Sequence, residues 1–412
     1  MSAPRISRSP DLQKLRDEGY DISIKSAHLL LRLPYVNAQR QVKQGTLVTP
    51  LDLVGERTAR PSSHVVSFVG EQPCHMDGSE IAQIRHAVGD QKLAEGLDVN
   101  RSFSNKPPEG YADYFHKMST YAAIISGPAA ALEPNATAKT HRVTTSDDND
   151  ADSVFQYPDT ASTRAGIVVA SNKVKGQKLG IVGLGGTGSY LLDFVSKSPV
   201  AEIHIFDGDV FRQHNAFRAP GAPSLDDLER HEKKVERFGQ IYSRMHSRIT
   251  VHPYHIDESN VGELDGFDFV FICIDKSVPK RTVVEHLLAR GARFVDVGMS
   301  VELVDSELVA IVRTTSSTPE KHDHVARCIA LRDAEDDDYA RNIQVAELNA
   351  LNAAHAVIKW KKLSGIYQDL EREHQSTYTL NLNMLLREET PAAPDAPAPE
   401  IDAAGKNTED AT

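Results

Sequence analysis

This 412-residue chain predicts an α/β fold, with a mostly parallel sheet flanked by helices, joined to a smaller α+β unit. Three observations predict it. From residue 165 to about 300, short apolar runs alternate with helical patterns, the order of a parallel sheet covered on both faces. Within that region, "KLGIVGLGGTGSYLLDF" (178–194) reads as a buried strand, a Gly-rich turn and a helix. Upstream, apolar stretches are separated by Pro, Gly and polar turns rather than by helices.

In chain order, 27–36, 45–54 and 64–70 read as strands. "GEQPCHMDG" reads as a turn before a short helix at "SEIAQIRHAV". Over 109–126, Tyr111, Phe115, Met118 and Tyr121 recur at helical spacing, as a packing face does. Residues 1–142 thus form an expected α+β domain suited to partner recognition, stability or dimerisation. The acidic run within 143–158 has the composition of a linker. A second domain is expected over 159–387. Its strands fall at 178–183, 201–209, 249–256, 267–275 and 292–300, with one helix after the Gly-rich turn and others at 224–245 and 279–290. "VELVDSELVAIVRTT" adds antiparallel strands at one edge. In 342–363, Leu348, Leu351, Ala354 and Ile358 suggest one packing face. The Pro/Ala-rich acidic tail, 388–412, is expected to be disordered.

A net charge of −12 argues against a duplex nucleic-acid surface, which needs clustered cations. No apolar run approaches the roughly 18 residues of a membrane span, and the N-terminus lacks a signal-peptide core. Three scattered cysteines make no disulfide framework, so a reduced, cytoplasmic protein is the expectation.

Gly183, Gly185 and Gly188 fit G-x-G-x-x-G, with Gly186 inside the same turn, where backbone approaches a phosphate at a helix N-terminus. Asp207 follows the second strand, where an acidic residue holds ribose hydroxyls. A dinucleotide oxidoreductase would need little more. Here "DGDVFRQHNAFRAPG" adds Asp209, Arg212, Asn215 and Arg218 beyond the sheet's C-terminal edge, and Lys234 follows on the next helix. Such cationic donors suit a triphosphate. "FICID" brings Asp275 to the same edge, where a carboxylate can hold Mg²⁺.

Together, "GLGGTG", "DGDVFRQHNAFRA", "KKV" and "CID" resemble, over 160–365, the adenylating domain of the ThiF, MoeB and HesA family, which includes ubiquitin-activating enzymes. The resemblance implies ATP and Mg²⁺ as cofactors, and a first step in which a ubiquitin-like protein's C-terminal carboxylate attacks the α-phosphate of ATP. By position it implies Asp207 on ribose, Asn215, Arg218 and Lys234 on phosphates, and Asp275 on Mg²⁺. It also implies a homodimer in which Arg164, upstream of the Gly-rich strand, reaches the partner's ATP. His214 and Ala219 depart from the family's usual serine and glutamine. An N-terminal extension is similar to layouts of bacterial ubiquitin-like conjugation operons. There a conjugating enzyme, a ubiquitin-like protein and a deubiquitinase-type metallopeptidase would be partners.

A thioester after adenylation would need a thiolate. Cys273 lies in an apolar run and reads as packing, and nothing around Cys74 suggests activation. Cys328 follows the edge strands in "HDHVARCIAL", an expected polar loop, where protonated His322 or His324 would favour its thiolate. Transfer to another protein's cysteine, or to sulfur, stays open. The alternatives are an NAD-dependent oxidoreductase and a catalytically inactive ThiF-like scaffold.

Overall fold

The computed structural model describes residues 6–55, 57–143, 153–329, 331 and 343–387. Two compact units are present: 1–172 with 244–247, and 173–243 with 248–412. Most of the expected linker and all of the expected tail lie outside the described residues.

The first unit begins with α1 (Pro10–Asp17), β1 (Asp21–Lys25), β2 (His28–Val36) and β3 (Val42–Pro50). The two-residue hairpin β4 (Leu53–Val54) and β5 (Arg57–Thr58) precedes β6 (Val65–Val69), β7 (Arg85–Ala94) and β8 (Leu97–Ser104). Helix α2 (Tyr114–Leu132) follows, with the short α3 (Thr160–Arg164) and α4 (Val168–Ser171) later. The main sheet is antiparallel, in the order β1-β2-β3-β6-β8-β7. Tyr114, Met118, Tyr121 and Ile125 of α2 share a core with Leu29, Leu31 and Leu33 of β2. Tyr111 joins that core from outside the helix, because Asp113 caps α2 by accepting from His116 N.

The helix expected at "SEIAQIRHAV" is a correction. Only 82–84 form a 3₁₀ turn, and Arg85 already begins β7. Ile81 and Ile84 are both buried, so their i,i+3 spacing reports that turn. Beyond it, β7 is an edge strand exposed along most of its length, and without a buried face it shows no period.

The second unit holds β9 (Lys178–Val182), α5 (Gly186–Val195), β10 (Glu202–Phe206), α6 (Gln213–Ala216), α7 (Leu225–Glu229) and α8 (Lys234–Tyr242). It continues through β11 (Ile249–His252), β12 (Phe269–Ile272), α9 (Ser277–Ala289), β13 (Phe294–Val304) and β14 (Glu307–Ser317). Then come α10 (Val325–Cys328), α11 (Ala346–Leu363), β15 (Gln375–Thr379) and β16 (Met384–Arg387). The sheet runs β11-β10-β9-β12-β13-β14-β15-β16. Its first five strands are parallel and the last three antiparallel, a Rossmann-like mixed sheet. Side chains of α5, α8 and α11 cover one face and those of α9 and α10 the other.

Two further expectations are corrected here. The single helix at 224–245 is two, because His231 takes a left-handed φ of +49° and Lys233 leaves the helix to cap α8. On α11 the expected face is only partly the buried one: Leu348 is buried but Ile358 is exposed, and Asn349, Asn352, Ala353, Ala356, Val357 and Trp360 are buried as well. Two asparagines on that face disguise it as polar in the sequence.

Candidate nucleotide site

β9 ends directly in the Gly-rich turn. Gly183 has φ +94°, and a Cβ there would lie 2.6 Å from the Cys273 carbonyl oxygen, so only glycine lets β9 and β12 run together at their ends. At Gly188 a Cβ would meet the Gly183 carbonyl oxygen at 1.9 Å. Gly185 caps α5 with no side-chain acceptor, leaving the first-turn N–H groups to an anion.

Asp207, one residue beyond β10, is buried. Its Oδ2 accepts from Leu184 N in the Gly-rich turn at 2.7 Å, and its Oδ1 accepts from Asp209 N at 2.8 Å. Backbone bonds from Lys234 N to Asp209 O and from Phe211 N to Glu232 O zip 207–211 to the start of α8. That brings Lys234, buried, to Asp209 at 2.7 Å and Asp207 at 3.5 Å. Burial acts to raise the Asp209 pKa, but the hydrogen bond and charge of Lys234, with His255 and Lys276, hold it below the usual carboxylate value. His255, which sequence reasoning missed, lies 3.4 Å from Asp209, and only the return of the chain after β11 brings it there.

Asn215 is buried in α6, where its Oδ1 accepts from Arg212 N at 2.8 Å. Arg218 is half-buried, and its Nε is shielded with no hydrogen-bond acceptor. Burial, then the charges of Arg218, Arg212 and Lys234, lower the pKa of His214. Three cations therefore act on one short segment beside the Gly-rich turn. An uncapped helix N-terminus, a shielded guanidinium nitrogen without an acceptor and convergent cations fit an anionic, phosphate-bearing ligand.

Asp275 is exposed just before α9, two residues past Cys273, whose carbonyl touches the Gly-rich turn. An exposed carboxylate at this edge fits a divalent cation on a phosphate. Arg164 belongs to the other unit. It ends α3, and its charge acts on Asp17 of α1, whose carboxyl burial raises against Arg16 and Arg164.

Two expectations about Cys328 are corrected. It ends a four-residue helix and is half-buried, rather than lying in an exposed loop. His324 is buried with Nε2 2.9 Å from the Ser316 carbonyl oxygen, and burial lowers its pKa, so it is neutral near pH 7 and no source of charge for a thiolate. The helix is too short to show a period in sequence. Burial and the charge of Asp296 push Cys273 up to about 12, and burial also raises Cys74, so both are unreactive thiols at neutral pH.

No helix among the described residues is long and apolar enough to cross a membrane. No curated protein matches the chain. Residues 10–160 match a domain of unknown function, DUF6791. Among solved structures, the chain is similar to Escherichia coli MccB with MccA-N7isoASN, at 16% identity and TM-score 0.45, covering 56% of this chain and 69% of that one. E. coli MccB with ATP is similar at 18% identity and TM-score 0.43, covering 54% and 66%. PaaA is similar at 16% identity and TM-score 0.42, covering 54% and 75%. The ThiF family matches residues 161–393, more than half of the chain. This chain belongs to the ThiF family.

Proposed function

We propose that the chain is an ATP-dependent adenylyltransferase acting on a protein or peptide carboxylate. The observation that carries this reading is the cluster of Asp207, Asp209 and Lys234 against an uncapped Gly-rich helix N-terminus, with the shielded Arg218 Nε beside it. In the reaction, a carboxylate oxygen bonds to the α-phosphorus of ATP and pyrophosphate departs with the electrons of the broken P–O bond. No side chain need become covalently attached. The N–H groups of Gly185–Gly188 supply backbone donors to phosphate oxygens, Asp207 accepts from ribose hydroxyls, Asn215 offers an amide donor, and Arg218 and Lys234 offset phosphate charge. Asp275 would hold Mg²⁺, which when bound neutralises phosphate charge.

Lys234 arrives already paired with two carboxylates, so its ammonium is positioned before ATP enters. A hydride-transfer site has no use for this concentration of cations, which counts against the oxidoreductase alternative. Retention of the full polar set counts against an inactive scaffold.

The finer proposal, resting on the family resemblance, is that the carboxylate belongs to a ubiquitin-like protein in a bacterial conjugation pathway. A conjugating enzyme would then be a further partner. In the same reading the protein is a cytoplasmic homodimer, with Arg164 reaching the partner subunit's nucleotide. The N-terminal domain would recognise one of these proteins.

Exchange of labelled pyrophosphate into ATP, dependent on the ubiquitin-like partner, tests the reading. Calorimetry showing NADH binding and no ATP binding in the presence of Mg²⁺ would overturn it.

A further inference from the structure

We propose that Asn349 on α11 is a positioning residue for the nucleotide site, holding Arg218 in register with the Gly-rich turn; the proposal rests on the ATP reading above. Asn349 is buried, and its side chain joins two segments far apart in sequence. Its Oδ1 accepts from the Thr187 hydroxyl, in the first turn of α5, at 2.9 Å. Its Nδ2 donates to the main-chain carbonyl of Arg218 at 3.3 Å. The same amide occupies the space beside Gly186, where a Cβ would lie 2.1 Å from Nδ2.

One carboxamide thus does two things. It sets the distance between the helix N-terminus, which offers backbone donors, and the residue that offers a guanidinium. It also explains why position 186 is glycine without a positive φ: the missing side chain leaves room for Asn349, which can then reach Thr187. Asparagine suits the place because it presents an acceptor and a donor from one rigid plane. Aspartate would keep the acceptor for Thr187 but set a carboxylate oxygen against the Arg218 carbonyl. A donor and acceptor held this far apart along the chain only by the fold position charge before the ligand arrives.

The test compares wild-type protein, Asn349→Ala, Asn349→Asp, Arg218→Ala and Arg218→Ala with Asn349→Ala. The readouts are calorimetric ATP affinity with Mg²⁺, the KM and kcat of pyrophosphate exchange, and fluorescence of Trp360, the chain's single tryptophan. Loss of both bonds in Asn349→Ala, and of the Arg218 bond with a carboxylate oxygen left against that carbonyl in Asn349→Asp, predicts a rise of roughly tenfold in the ATP Kd for both variants, carried by KM more than by kcat. Because Asn349 acts through Arg218, its removal from Arg218→Ala should weaken ATP binding by less than about threefold further. Gly186→Ala should likewise weaken ATP binding in the wild type and add little in Asn349→Ala.

Wild-type affinity in both Asn349 variants, with native Trp360 emission, overturns the proposal. So does a tenfold effect that multiplies in full with Arg218→Ala. If the alanine variant loses native emission, Asn349→Asp decides by the same thresholds. A wild-type protein that does not bind ATP overturns the underlying reading instead, and calorimetry on the unsubstituted chain separates the two failures.

Discussion

Asp207→Asn removes one charge and almost no volume, and its expected cost can be worked from the bonds that converge on this carboxylate. Each oxygen accepts one backbone N–H, the buried one of Leu184 at 2.7 Å and the half-buried one of Asp209 at 2.8 Å. Asparagine can keep one of these bonds, but its NH₂ must then face the other N–H, leaving two donors opposed. An unsatisfied buried donor costs about 1–3 kcal/mol. Lys234 keeps Asp209 as its partner at 2.7 Å, so its ammonium is not left unpaired. The expected cost is therefore about 1–3 kcal/mol. Trp360 is fully buried in this unit, donating from Nε1 to Gln177, so its fluorescence follows the unfolding of the unit that carries the site. With a urea slope of about 1–3 kcal/mol/M, the midpoint should fall by on the order of 1 M at an unchanged slope. ATP affinity should fall as well, because the Gly-rich turn loses its tether to β10. A midpoint within about 0.2 M of the wild type would refute the reasoning, since it would mean that the two N–H bonds contribute nothing to holding the turn.

Asp275→Ala should abolish partner-dependent pyrophosphate exchange while leaving Trp360 unfolding unchanged; wild-type exchange at saturating Mg²⁺ would give Asp275 another role. Lys117 on α2 is buried, donates to Thr49 Oγ1, Ser63 O and Val65 O, and burial lowers its pKa to about 8. Its folded pKa lies below the 10.5 of an unperturbed lysine, so the unfolded chain binds more protons between those values and stability rises with pH across that window. From pH 7.5 to 9.5 the gain should be about 2 kcal/mol, read as slower hydrogen exchange of α2 amides after correction for intrinsic rates; Lys117→Met should flatten it. If the activated partner is transferred to Cys328, incubation with ATP and partner should yield a reductant-sensitive conjugate that is lost in Cys328→Ala and kept in Cys74→Ala. Robust exchange with no such conjugate places the acceptor elsewhere.

The parts of this protein legible in its sequence are those governed by neighbours along the chain. Buried parallel strands such as β12, and β9 beyond its exposed Lys178, are apolar because both faces are covered, and the Gly-rich turn is recognisable because its backbone geometry admits few other residues. The hairpin between β13 and β14 was also readable, with Asp305 and Ser306 supplying the two positive-φ positions of a tight turn. Exposed edges such as β7 and β16 carry no period, because solvent on both faces places no demand on alternation. The pairing of Lys234 with Asp209, 25 residues apart, depends on the ladder that zips 207–211 to α8. Asn349 reads as a polar position on a helix until α11 packs across α5. Its role is decided by the tertiary structure alone, because hydrogen bonds between segments 162 and 131 residues apart exist only once the sheet and its helices have closed.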